Sequence, residues 1–248
     1  MAHQSTRSPG DICLGDGSID LAGFSSVCHK RERLYKIESI NRVMNMANLA
    51  VLEQTVASMF NPQVVAPPAG EVVEELLAWE KLAKREKMPY GFEQLSGAWR
   101  LCWITGEKQG RSLNLTQMRL AQTLLRLIPI QLVYHPLADL EGIDREKFEA
   151  GEVENRIQIG LFTLVVFGPA KRLKSNSLLA FDFTTMQIKF FDKVLFSTLI
   201  RNGENRNARF YGAPIRELAF FNYFLVQDKL IAARGRGGGL ALWGRSAG

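Results

Sequence analysis

The sequence has no run of about 18–20 uninterrupted apolar residues, the length a membrane-crossing helix needs. Its most apolar stretch, Ile157–Phe167, is broken by Gln158 and Gly160. If this protein meets a membrane, the expectation is that it meets the surface. Cysteine is scarce: Cys13, Cys28 and Cys102 are odd in number and form no CxxC pair. That excludes a disulfide framework and gives no zinc pattern. The three histidines, His3, His29 and His135, stand far apart without ligand spacing, so no metal and no cofactor is expected. The first thirty residues have no apolar core segment of the secretory kind. They carry Asp11, Asp16 and Asp20, and acids of this sort are uncommon in transit peptides.

What is present is an ordinary globular composition of 248 residues, 46% hydrophobic and 23% charged. The net charge of +6 is unevenly spread. From Lys171 onward thirteen Lys and Arg stand against five acids, +8, which leaves −2 for the rest. A basic half of this kind can attract anionic headgroups, phosphorylated ligands, nucleic acid or an acidic partner.

Residues 1–33 are rich in Gly, Ser and Asp with no hydrophobic period, which predicts a flexible tail. Between Lys36 and Phe60, Ile37, Ile40, Met44, Ala47 and Val51 recur at helical spacing, and Asn61-Pro62 stops the helix, since proline lacks the N–H to continue it. A second helix is predicted from Glu71 to Lys87, with Val72, Leu76, Trp79 and Ala83 on one face. Beyond Phe92 the pattern turns to strand. Ala98–Thr105 and Ile130–Tyr134 read as strands, with a short helix over Thr116–Leu127 between them. Arg156–Phe167 reads as one long strand, apolar on both faces in its second half. Leu179–Phe183 and Met186–Phe190 alternate about Thr184-Thr185 as a hairpin does. Leu218–Val226, Lys229–Arg234 and Leu240–Trp243 complete the set. Short antiparallel strands with short turns predict a barrel or sandwich.

Two segments carry more than periodicity. Leu95-Ser96-Gly97-Ala98-Trp99 stands where helix gives way to the first strand, and Leu230-Ile231-Ala232-Ala233-Arg234-Gly235 opens the last hairpin. A tryptophan plugging one end of a small barrel removes roughly 150–250 Å² from water. At about 25 cal/mol/Å² that is an upper bound of roughly 4–6 kcal/mol, and an arginine stacked on the ring adds about 1–2 kcal/mol. Gly97 allows close backbone passage at the barrel corner. Gly235–Gly239 lacks the Lys-Ser/Thr of a phosphate loop and is followed by a strand pattern. One Arg-Gly-Gly copy in an apolar context gives no nucleic-acid partner.

Together these segments resemble the plastid lipid-associated protein (fibrillin) family, over about Val73–Trp243. Its members start with Leu-x-Gly-x-Trp, here Leu95, Gly97 and Trp99, and end on Leu-x-x-x-Arg-Gly, here Leu230, Arg234 and Gly235. Cys102-Trp103-Ile104-Thr105 stands where the family usually has Tyr-Thr or Tyr-Ser. The resemblance implies a mainly β fold with N-terminal helices, that is, a lipocalin-like antiparallel β-barrel (α+β) preceded by two helices. The expected division is a tail over 1–33, a helical segment over 34–90 and the barrel over 91–248.

The resemblance also implies binding of an apolar small molecule, a lipid, carotenoid or prenylquinone, without catalysis. It places the protein in the plastid stroma, at the thylakoid surface or on plastoglobules, or in the cytoplasm or at the thylakoid of a photosynthetic prokaryote. Trp99, Trp103 and Arg234 are expected at the plugged end, with Phe162 and Phe181 as further ligand contacts. Gly97, Trp99, Arg234 and Gly235 are the structural motif. Peripheral contact with anionic membrane and a protein partner on the N-terminal helices are expected as well. The alternative is an interaction scaffold for a photosynthetic or isoprenoid-biosynthetic complex, with no ligand of its own.

Overall fold

A computed structural model describes residues 49–88, 90–105, 107–108, 111–112, 122–137 and 144–246. The expected 1–33 tail, the first part of the Lys36–Phe60 helix and residues 113–121 lie outside them. Helix α1, Leu49–Phe60, ends at Asn61-Pro62 as its sequence requires. Helix α2, Ala69–Glu86, has Glu71 in its first turn and Lys84 and Arg85 in its last, each complementing the helix dipole. Its buried face is Val72, Leu76, Trp79, Glu80 and Leu82. A helical turn, Phe92–Leu95, leads into the sheet.

Ten strands follow in one antiparallel sheet: β1 Gly97–Ile104, β2 Ile130–Leu137, β3 Phe148–Ile159, β4 Phe162–Leu173, β5 Leu178–Phe181, β6 Thr185–Phe190, β7 Lys193–Leu199, β8 Ala219–Val226, β9 Leu230–Gly235 and β10 Leu240–Arg245. Residues 107–108 and 111–112 form a small separate hairpin, and residues 122–127 are helical. The strand order is β3-β2-β1-β10-β9-β8-β5-β4-β6-β7, and β3 also pairs with β4. That pairing closes the first eight into a barrel and leaves β6 and β7 outside it. The fold is therefore a lipocalin-like antiparallel barrel with helices on its N-terminal side. Both α1 and α2 pack on its outer wall, α1 on β1 and β10 and α2 on β8. Helices and barrel belong to one unit, Ala47–Gly248.

Two strand expectations need correction. Arg156–Phe167 is not one strand. It turns at Gly160-Leu161, with Gly160 at φ +60°; a glycine that accepts positive φ at the first central position suits a two-residue hairpin turn. Nor do Leu179–Phe183 and Met186–Phe190 pair with each other. β5 lies along Ala170–Arg172 of β4, and β6 along Phe162–Phe167 of the same strand. The two are successive lengths of one path beside β4, interrupted at residues 182–184. β7, the first half of β3 and the helix α3, Gly203–Phe210, carry no periodicity that separates them from loops.

Gly168 is what lets this interruption sit against β4. A Cβ there would run into the Asp182 carbonyl and the Thr184 hydroxyl. Lys171 holds α3 on the outer wall. It is buried, and its Nζ donates to the carbonyls of Phe210, Tyr211 and Ala213 at 2.8, 3.0 and 2.7 Å, capping the helix end with a cation. We expect Gly168→Ala to lower Tm by about 3–10 °C, from roughly 1–3 kcal/mol of overpacking. Gly237→Ala, where nothing lies within 4 Å, leaves Tm within about 2 °C. Thermal unfolding followed by circular dichroism checks both, and equal losses at the two sites would refute the assignment.

Candidate functional site

Alternation along the strands sets which side chains face the barrel interior, and the register carries that row from strand to strand. Trp99 is opposite Leu132 and Arg245; Leu101 is opposite Trp243; Tyr223 is opposite Ala233. At one end the interior is solid. Trp99 is 0% exposed, and its indole N–H donates to the Leu95 carbonyl at 2.7 Å. Phe92 lies over Gly151, where a Cβ would meet its ring, and edges against Tyr134. The Tyr134 and Tyr223 hydroxyls are 2.7 Å apart and share one hydrogen bond. Burial raises both phenols above their ordinary range.

The residues that strap this end down are not evident from the sequence. Glu149 accepts from the Phe92 backbone N–H at 2.7 Å and from Arg172 Nε at 2.7 Å. Arg172 in turn lies over the Tyr90 ring, 5.0 Å from its centroid. Burial pushes the Glu149 carboxyl up, but Arg172 and the Phe92 amide hold it below its usual value.

The sequence-derived site residues divide. Trp99 and Phe181 are interior, and Phe181 stacks on Phe221 at 5.0 Å. The arginine over Trp99 is Arg245, 4.0 Å from the ring centroid. Its Nη1 donates to the Ser96 carbonyl at 2.9 Å and its Nε to the Asp228 carbonyl. Gly97, at φ +104°, brings the backbone within reach of that guanidinium. Arg234 is not in the plug. It pairs across from Leu240, in the row that faces α2, and grips Glu80 through Nε and Nη2 at 2.8 and 2.7 Å. Its Nη1 also donates to the Gly238 carbonyl, beside the turn in which the Gly235 N–H donates to the Gly239 carbonyl at 2.9 Å. Trp103 is not at the plugged end either. A register shift between Leu101 and Trp103 puts it opposite Leu242, in the same outer row as Gly244, whose Cβ would meet Val56 and Phe60 of α1. Phe162 lies far from both, at the β3–β4 turn, and is exposed.

The opposite end of the barrel has a different character. There β3 and β4 run on past the barrel and, with β6 and β7, form a four-stranded wing. The interior row of the barrel continues onto one face of this wing. Ile157 pairs with Leu164 and Ile130; Leu164 pairs with Ile188; Val166 pairs with Met186; Ile188 pairs with Phe196. The other face of the same strands carries Arg156, Gln158, Thr163, Gln187, Lys189 and Ser197, with Val165, Phe167, Val194 and Leu199 its apolar members. The wing is thus amphipathic, and its apolar face extends the inner wall of the barrel. Ile130, Ile157, Leu164 and Val166 are only half-buried. Out on the wing that face also carries Thr198, opposite Met186, and Lys193, opposite Phe190; the polar residue in the row at the barrel mouth is Asn155, between Leu132 and Val166. Its side-chain oxygen is buried with no hydrogen-bond partner.

Four surface cavities of about 260, 400, 340 and 350 Å³ are lined by described residues. None of the four is lined by Trp99, Trp103, Arg234, Phe162 or Phe181. A barrel of this kind is compatible with binding apolar ligands, and its solid end moves the candidate surface to the wing end. Compared with family models, curated proteins and solved structures, the chain has no match in any of the three.

Trp99→Ala is expected to cost about 3–5 kcal/mol, and Arg245→Ala about 1–2 kcal/mol, as lost stacking and hydrogen bonds. Denaturant melts check the ranking. Glu80 gives a pH signature: the hydrogen bonds from Arg234 hold its carboxyl below its usual 4.5. A depressed carboxylate contributes stability in full above the unfolded value and loses it as pH falls through the folded one. Wild-type Tm therefore drops on acidification below about pH 4.5, and Glu80→Gln, already weaker at neutral pH, shows a shallower drop. Parallel Tm–pH curves would contradict this.

Proposed function

We propose that this protein binds an apolar small molecule on the inner wall at the wing end of the barrel and performs no chemistry on it. The observation that carries this is the apolar row from Leu132 through Ile157 and Leu164 to Ile188, half-buried at the wing and continuous with the barrel interior. An apolar ligand gains there by leaving water, at about 25 cal/mol/Å² of area removed. Asn155 offers a single amide in that row, and a buried amide oxygen without a donor is disfavoured by about 1–3 kcal/mol. A ligand with one hydroxyl on an apolar body, donating to that oxygen, relieves that. The resemblance at Leu95, Gly97 and Trp99 and at Leu230, Arg234 and Gly235 supports a lipid, carotenoid or prenylquinone, and with it a plastid or thylakoid setting. A non-catalytic role is supported by Cys102, whose thiol is buried and pushed up to about 12 by that burial, the opposite of what a nucleophile needs.

The scaffold reading has its own observation: Phe60, Val65 and Leu77 are exposed in the N-terminal helical region. One experiment separates the two. Purified protein is extracted with organic solvent, and the extract is read by absorbance and mass spectrometry. A stoichiometric isoprenoid or lipid supports binding; a clean extract, with no uptake of added β-carotene or plastoquinone, rejects it in favour of the scaffold. In reconstitution, Asn155→Leu is expected to weaken the reduced quinol, whose hydroxyl can donate to Asn155 Oδ1, about tenfold while leaving β-carotene unchanged.

A further inference from the structure

Among the described residues thirteen large apolar side chains are substantially exposed, and they are not scattered. Eight belong to the two wing hairpins, and two more, Leu124 and Leu127, lie on the 122–127 helix that leads into β2 at the same end. Monomeric surfaces seldom gather apolar residues this way unless the patch meets something.

The tip of the wing is built to project. The turns Gly160-Leu161 and Phe191-Asp192 lie side by side, joined by the Phe191 N–H donating to the Leu161 carbonyl at 2.9 Å. Phe162 packs on Phe190 at 5.2 Å, and Phe190 on Phe191 at 4.8 Å. Yet Leu161 is 55% exposed and Phe191 61%. Phe191 also sits at φ +51°, a left-handed conformation that disfavours a bulky residue through the clash of its Cβ with the following carbonyl. Folding gains little from a ring held so; an environment that buries it gains more. Two cations flank the tip, Lys189 and Lys193, and neither has an ion pair among the described residues. Arg156 is held by Glu154, and Arg201 faces Asp182.

We propose that this wing tip docks on an anionic lipid bilayer, its two turns entering the interface and Lys189 and Lys193 meeting lipid phosphates. A projecting apolar tip flanked by two cations suits an interface of headgroups and acyl chains. Among the described residues no strand pairs with the outer edge of β7, and hydrocarbon cannot satisfy the backbone groups there. The wing therefore enters by its turns and stops at headgroup depth, where Asp192 stays hydrated. A second copy pairing along β7 would cover Val194 and Phe196 on that strand but leave the Leu161 and Phe191 turns and the 122–127 helix uncovered. The basic C-terminal half of the sequence named no surface; the structure assigns one. Docking does not depend on the ligand reading, since a protein that carries nothing still docks by its tip.

The test is co-sedimentation of the full chain with phosphatidylcholine vesicles and with vesicles that also contain phosphatidylglycerol. Wild type is expected to bind the anionic vesicles, more weakly as salt rises. Leu161→Ser with Phe191→Ser is expected to reduce binding about tenfold or more with Tm unchanged or raised. Lys189→Gln with Lys193→Gln loses only the increment from anionic lipid. Wild type that binds neither vesicle, or binding unaltered in the Leu161/Phe191 variant, overturns the proposal. So does a dimer in analytical ultracentrifugation that the same variant abolishes while vesicles remain unbound, for then the wing pairs with a second copy. The solvent-extraction result is independent of all these outcomes, so the two readings fail separately.

Discussion

Strand β4 is paired along its whole length on one side by a single partner, and on the other by two partners over residues 162–167 and 170–172. β3 accompanies it from Phe162 to Leu173, while β6 takes its first half and β5 its second. A twelve-residue strand is longer than the wall of this barrel needs. The surplus hydrogen-bonding groups must be satisfied; β6 does so outside the barrel, and β7 in turn pairs with β6. The wing, the continuation of the inner apolar row and the exposed tip all follow from that length.

The two ends of the barrel then acquire opposite properties. At one end Trp99, Phe92, Tyr134 and Tyr223 fill the interior, and Arg245, Glu149 and Arg172 lock the cap by charge-assisted hydrogen bonds. At the other the interior row emerges half-buried onto the wing. Rigidity and adhesiveness are separated along one axis, and it is the adhesive end that presents Asn155 and the half-buried apolar row.

Much of the barrel was legible because alternation reports on half-buried strands. The Gly97–Trp99 start was legible too: only glycine suits φ +104° there, and the tryptophan needs a dry end to plug. The partner of Trp99 was not. Arg234 and Arg245 both lie on late strands, and sequence pattern favours the one before glycine. Facing depends on register, where a shift of one residue moves a side chain to the opposite face; Arg234 falls in the outer row with Glu80, and Arg245 comes to lie against Trp99. The same limit hid Trp103, which a bulge turns outward. The Ile157–Phe167 run concealed a hairpin because apolar residues continue through the turn and only Gly160 marks it. Leu179–Phe183 and Met186–Phe190 looked like partners because nothing local reveals that a third strand is long enough to hold both.

The ring closes where β1 meets β10, so that Trp99 is sealed by a residue from the far end of the barrel sequence. Contacts so distant along the chain form late, because loop-closure entropy must be overcome before they stabilise anything. During synthesis the β3–β4 hairpin and its β6–β7 neighbours emerge well before β10 exists. For that interval the growing chain has an apolar wing and no finished barrel behind it. The adhesive part of the molecule is thus born first, and a nascent chain of this protein should interest chaperones, or any nearby lipid surface, before it can hold anything inside.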